Sequence, residues 1–220
     1  MTTLSMNPTL LLLFIALLYI LVFGGLSLMR REGLSVQFAI EAILLTAILV
    51  GLSWALRFSL GPVVLLLILY IVTMRSRLLT DLANVMAQRD RYGNAFKLYE
   101  LALRVWPDRS SRLVVMANRG AAELHSGDPH KAIATFEEVL DPQNSRHVGR
   151  KYEAATRFNL AVACDRAGQP ARATQLFCEV AELLPGSLYA RGAEAALKRR
   201  REAGASAGEC PTPPPQQSAE

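Results

Sequence analysis

The sequence predicts an all-α chain in two parts: three N-terminal transmembrane helices, then a short stack of helix pairs closed by a capping helix. Three observations predict it. Apolar residues are 51 % of the 220-residue chain although only 7 % are aromatic, and the aliphatic excess is concentrated in the first 74 residues. From residue 75 onward, apolar side chains recur at helical spacing with small and bulky ones alternating. Pro107, Pro129, Pro170 and Pro185 punctuate that stretch at its helix ends.

The first element is Pro8 to Met29, an uncharged run long enough to cross the roughly 30 Å hydrocarbon core as a helix. Arg30 and Arg31 follow the run, no basic residue precedes it, and "SLMRREG" offers no small-residue cleavage motif. A retained anchor is therefore expected rather than a secretory signal. The second span is Val36 to Leu56, interrupted by Glu41, and the third is the shorter Leu60 to Met74. Gly61 and Pro62 break the helix after Arg57, so these two spans form a hairpin. No proline or glycine occurs between Val63 and Tyr92, which predicts that the third span runs unbroken into the next helix as a rod of about 45 Å. Placing the N-terminus outside puts Arg30, Arg31, Arg75 and Arg77 inside and Arg57 alone outside.

The stretch "GNAFKLYELALRVWP" sets Ala95 and Ala102 around Tyr99 on one helix face, and two further stretches repeat it. "HKAIATFEEVL" has Ala132 and Phe136, and "ARATQLFCEVAELLP" has Ala173, Phe177, Val180 and Pro185. Each is preceded by another helical stretch with its own small residue: Leu82 and Ala83, then Gly120, then Leu160 and Ala161. This pattern resembles the tetratricopeptide repeat (TPR) family, whose unit is a helix, a turn and a helix of about 34 residues. The units read as 76–109, 113–146 and 154–187, the third matching best and the second departing most, with Val139 for alanine and Asn144 for proline. Asp128 before Pro129 and Gln169 before Pro170 mark helix starts. "SLYARGAEAALKRRR" supplies the capping helix, 187–201, and the segment from 203 to 220 is too polar to order itself. The expected domains are thus a transmembrane region 1–74, a repeat domain 75–202 and a disordered tail 203–220.

The resemblance implies a groove that binds an extended peptide. Asn118 and Asn159 fall at equivalent places on the groove side, where an amide offers both donor and acceptor to a peptide backbone. Arg157 and Arg166 lie nearby and suit a carboxylate. Glu41 is the acidic residue within a span; close to the cytoplasmic end of its helix, it is read as reaching the interface or meeting Arg30 or Arg31, and glutamine there is expected to be silent. The run Lys198 to Arg201 is read as a solvated helix end suited to the helix dipole.

Catalytic and metal-binding patterns are absent from the sequence. There is no phosphate loop, no His-Glu-x-x-His, no Gly-x-Ser-x-Gly and no Cys-x-x-Cys, and His125, His130 and His147 lack partners at ligand spacing. Cys164 and Cys178 read as small buried side chains of a reducing compartment, and Cys210 as an exposed thiol. The net charge of +5 is partly the topology signal, so it does not point to nucleic acid. The expectation is a non-enzymatic adaptor without cofactor or metal, in a bacterial inner membrane, presenting cytoplasmic repeats to a protein or peptide partner. The alternative is an accessory subunit of a transporter or envelope-assembly complex, held mainly by its transmembrane helices.

Overall fold

The computed structural model describes residues 8–29, 36–57, 61–145 and 148–202. Arg30, Arg31, His147, Cys210 and the expected tail 203–220 lie outside the described residues. Every element among the described residues is helical, and the chain divides into two compact units between Val115 and Met116.

In the first unit, α1 (Pro8–Met29), α2 (Val36–Ala55) and α3 (Pro62–Thr73) each touch the other two. Their common core is small: Leu12, Ala16 and Tyr19 of α1, spaced i, i+4, i+7, meet Ala42 of α2 and Leu65 and Leu69 of α3. Thr46 is buried as well, and its hydroxyl donates back to the Ala42 carbonyl at 2.7 Å. Thr73 donates to Leu69 O at 2.7 Å, which leaves its oxygen to accept from the Tyr19 hydroxyl, also at 2.7 Å. Glycine plays no part in this close packing, since a Cβ added at Gly25 or Gly51 would meet nothing within 4 Å.

Two sequence expectations change here. Among the described residues, α2 is the one helix long and apolar enough by itself to cross a membrane, and the apolar stretch described in α1 is Thr9–Phe23. The twelve residues of α3 rise about 18 Å, short of the roughly 30 Å that the expected third span required. The unbroken rod is also absent: α3 and α4 (Arg75–Gln88) meet at Met74 with a bend of 69°. No proline or glycine causes it. In a continuous helix the Val72 carbonyl would pair with the Ser76 amide; here it accepts from the Arg75 guanidinium at 2.7 Å, and that side chain is drawn toward α2.

After the bend, α4 pairs with α5 (Tyr92–Arg104). Ala95, Tyr99 and Ala102 are buried together, as the spacing predicts, and the Tyr99 hydroxyl donates to Asn84 Oδ1 at 2.6 Å. Burial pushes the Tyr99 phenol up to about 12. On α4 the small residue facing this side chain is Ala83, while its neighbour Leu82 is exposed.

α6 (Arg109–His125) crosses the boundary between units. The second unit continues with α7 (Pro129–Leu140), the single-turn α8 (Pro142–Ser145), α9 (Arg150–Arg166), α10 (Pro170–Leu183) and α11 (Leu188–Glu202). Its core unites Ala132 and Phe136 of α7, Leu160, Ala161 and Cys164 of α9, Ala173, Phe177 and Val180 of α10, and Ala193 and Leu197 of α11. Ala132 lies 37 residues after Ala95 but 41 before Ala173, and α8 sits in the longer connection. Cys164 is a buried free thiol that burial pushes up, and Cys178 is buried too.

One steric rule links the pairs. Sixteen residues separate Ala83 from Tyr99, Gly120 from Phe136 and Ala161 from Phe177, and all six positions are buried. A left-handed residue stands five before each of Ala95, Ala132 and Ala173: Asp90 (φ 58°), Gly127 (φ 92°) and Gly168 (φ 75°). Asp128 then caps α7, accepting from the Lys131 amide at 3.1 Å with Pro129 at the first helical position; Lys131 also holds its carboxyl below the usual carboxylate range. Gln169 precedes Pro170 without a side-chain cap.

Gly120 is where this packing is tightest: an added Cβ would lie 2.7 Å from Phe136 Cε1, and the ring is fully buried. Gly120→Ala is expected to destabilise the protein by about 1–3 kcal/mol despite alanine's better helix propensity, measured by denaturant unfolding of the full chain in detergent.

Candidate functional site

Two places gather polar chemistry. The first is the corner between α3, α4 and the end of α5, and it is built around Arg75. Its Nη1 and Nη2 donate to Glu41 Oε2 and Oε1 at 2.6 and 3.0 Å, a two-pronged ion pair with α2. Nη1 also reaches Val72 O, Nη2 donates to Trp106 O at 2.9 Å, and Nε donates to Val105 O at 2.6 Å. A guanidinium has five N–H donors, and all five are used. Gln37, one turn before Glu41, donates to Glu41 Oε1 at 2.9 Å and to Trp106 O at 3.0 Å. Trp106 has a left-handed backbone (φ 56°), the conformation in which the Val105 and Trp106 carbonyls meet this cluster.

The expected Glu41 partners Arg30 and Arg31 lie outside the described residues. The described partner of Glu41 is Arg75, 34 positions away, with both side chains about three-quarters buried. The pair stands where an apolar helix gives way to a repeat helix, and losing either member leaves the other charge without compensation in a poorly solvated corner. The expected silence of glutamine at 41 is replaced by an expected loss of stability.

The second place is the face of α6 and α9 that carries the asparagines. Asn118 and Asn159 are both half-buried. Arg166, at the end of α9, donates to Leu124 O at 3.0 Å, at the end of α6, so these two helix ends are held side by side. Asn118 lies six residues before Leu124 and Asn159 seven before Arg166. Arg157 sits between Glu153 Oε1 at 3.0 Å and Glu179 Oε2 at 2.5 Å. Both arginines thus have partners within the fold.

Sequence reasoning missed two further polar clusters. Glu123 is buried and accepts from Arg119 Nε at 2.9 Å and Thr135 Oγ1 at 2.7 Å, tying α6 to α7. Arg200, within the basic run, does not point to solvent: it donates to Pro170 O and Thr174 Oγ1 at 2.8 Å, pairs with Asp165, and lies 5.5 Å over the Phe177 ring. It fastens the cap helix to α9 and α10. His125 bonds the Ala121 carbonyl of its own helix, and among the described residues no three His, Cys, Asp or Glu side chains come together as a metal site.

The family model for the tetratricopeptide repeat matches residues 74–141, the stretch from α4 to α7. Over that stretch the chain is similar to tetratricopeptide repeats. The match covers the first two pairs and ends before α9 and α10, which the sequence pattern ranks as the best of the three. No curated protein and no solved structure matches the chain.

Arg75→Lys keeps the charge but has three donors for five acceptors and no planar fork. It is expected to lower stability by about 2 kcal/mol, read from thermal unfolding of the full chain; wild-type stability would mean that charge alone suffices at the corner.

Proposed function

We propose that this protein is a membrane-anchored, non-catalytic adaptor that presents its tetratricopeptide repeats to a protein partner at the bilayer surface. The observation that carries the membrane part is the outside of the three-helix core. Leu10, Phe14, Leu17 and Leu21 of α1, Ile40, Ile43, Leu44 and Ile48 of α2, and Val63, Leu67 and Ile71 of α3 are all exposed. Such a belt around a small packed core belongs in lipid, since monomers in water rarely leave so much contiguous apolar surface open. In this reading α2 spans the bilayer, α1 crosses beside it, and α3 enters from the far side and turns at Arg75. The arginines favour an N-terminus outside and repeats in the cytoplasm. Their excess over lysine fits a bacterial inner membrane.

The binding part rests on Asn118 and Asn159, half-buried at equivalent positions of α6 and α9, whose ends Arg166 joins. Two amides so placed suit the backbone of an extended segment, which each can meet with a donor and an acceptor. Arg157 and Arg166 border this face and hold its helices in place through Glu153, Glu179 and Leu124. Because their charge is engaged within the fold, they also favour a second reading, in which the repeats brace a larger membrane assembly and the transmembrane helices make the main contacts.

The test compares full-length protein with Asn118→Ala/Asn159→Ala by quantitative capture from the native membrane. The adaptor reading expects unchanged helical circular dichroism and about 10- to 30-fold weaker partner binding, the worth of two amide contacts. Undiminished capture contradicts it and supports the bracing role.

A further inference from the structure

The outer face of α4 carries an apolar stripe that no described element covers. Leu78, Leu82 and Val85 are 36 %, 45 % and 40 % exposed. At 100° per residue they share an arc of about 60°. Ser76, Thr80 and Ala83, on the other side of the helix, are buried.

Three observations say what the stripe faces. Arg75 is seven residues before Leu82 and so lies on the same arc, and its guanidinium holds Glu41 of α2. The stripe consequently looks toward the side from which α2 arrives. The 69° bend means that when α3 stands along a bilayer normal, α4 lies about 20° from the bilayer plane. Trp106 is 78 % exposed at the same corner, where its carbonyl is bound by Gln37 and Arg75. Trp54, 84 % exposed, stands near the other end of α2, 17 residues or about 25 Å from Gln37. Two bare indoles at that separation match the two faces of a hydrocarbon core.

We infer that α4 is an interfacial helix, with its Leu78, Leu82 and Val85 face seated in the headgroup–acyl boundary of the bilayer that holds α1 to α3 and Trp106 beside it at the same depth. The inference rests on the membrane reading above. Residues 75–112 carry eight basic and four acidic side chains, a balance that suits an anionic leaflet. The first repeat is then laid against the membrane along its length rather than hung from it, and the stripe, which at the open end of a repeat array would invite another helix, is covered by lipid.

The chain has two tryptophans, so fluorescence reads this directly. Full-length Trp54→Phe/Trp106→Phe/Leu82→Trp is reconstituted into phosphatidylcholine–phosphatidylglycerol vesicles containing lipids brominated near the headgroup or near the chain end. The expected result is quenching by the shallow label at least about twofold stronger than by the deep one, and little quenching by aqueous iodide. Trp54→Phe alone leaves the native Trp106 ring and gives the same readout without altering α4. Quenching by iodide and not by bromolipid overturns the inference, and so does blue-shifted emission that neither reaches, the sign of a protein cover such as a second copy. Trp106→Phe, which leaves Trp54, separates the two levels. If Trp54 is quenched by bromolipid and Leu82→Trp is not, only the seat of α4 fails. If neither is quenched, the membrane reading fails with it.

Discussion

The guanidinium of Arg75 is the joint on which the first unit depends. It satisfies a carboxylate on α2, the Val72 carbonyl at the bend and two carbonyls at the end of α5, and it has no donor left over. An ion pair at a fully solvated surface contributes little, because water competes for both charges. Here the pair is mostly shielded and two-pronged, and both ends have additional hydrogen-bond partners, the condition under which such a pair is worth most. The bend at Met74 and the left-handed turn at Trp106 both lie beside this one side chain, which bonds to the carbonyls of Val72, Val105 and Trp106.

Beyond the joint, a simpler constraint takes over. Each helix pair buries a ring sixteen positions after a buried residue with little or no side chain, and at Gly120 even a methyl group would intrude on Phe136. This shape rule is local to a pair, so it survives changes elsewhere: valine replaces alanine at 139 and 180 and both are fully buried. The polar clusters serve different ends. Glu123 with Thr135 and Arg200 with Asp165 hold neighbouring helices in register, and they occupy charges that the sequence alone leaves open to ligands.

How much was legible in the sequence follows from the range of each interaction. Ala95, Tyr99 and Ala102 were readable because one helix face has a fixed period, and Asp128 because a cap acts within three residues. The C-terminal limit of α1 was readable because the uncharged run from Pro8 stops at Arg30. The bend at Met74 was not, since no proline or glycine marks it and the side chain beside it is bonded across 34 positions. The Glu41–Arg75 pair was not legible for the same reason, since its members stand 34 positions apart. Arg157 and Arg166 look like ligand-binding residues in one dimension, and only the fold supplies Glu179 and the Leu124 carbonyl.

In the function proposed above, the first repeat pair is held at a fixed attitude to the apolar helices of its own unit. That holds only if the apolar helices and the first repeat pair move as one body. Pulsed electron–electron resonance between spin labels at Val63→Cys on α3 and Lys97→Cys on α5, with the three native cysteines replaced by alanine and the full chain reconstituted in vesicles, measures this. A single narrow distance that broadens when Glu41→Gln is added is the predicted result. A distribution already broad in the protein with Glu41, or a narrow one unaffected by Glu41→Gln, would contradict it.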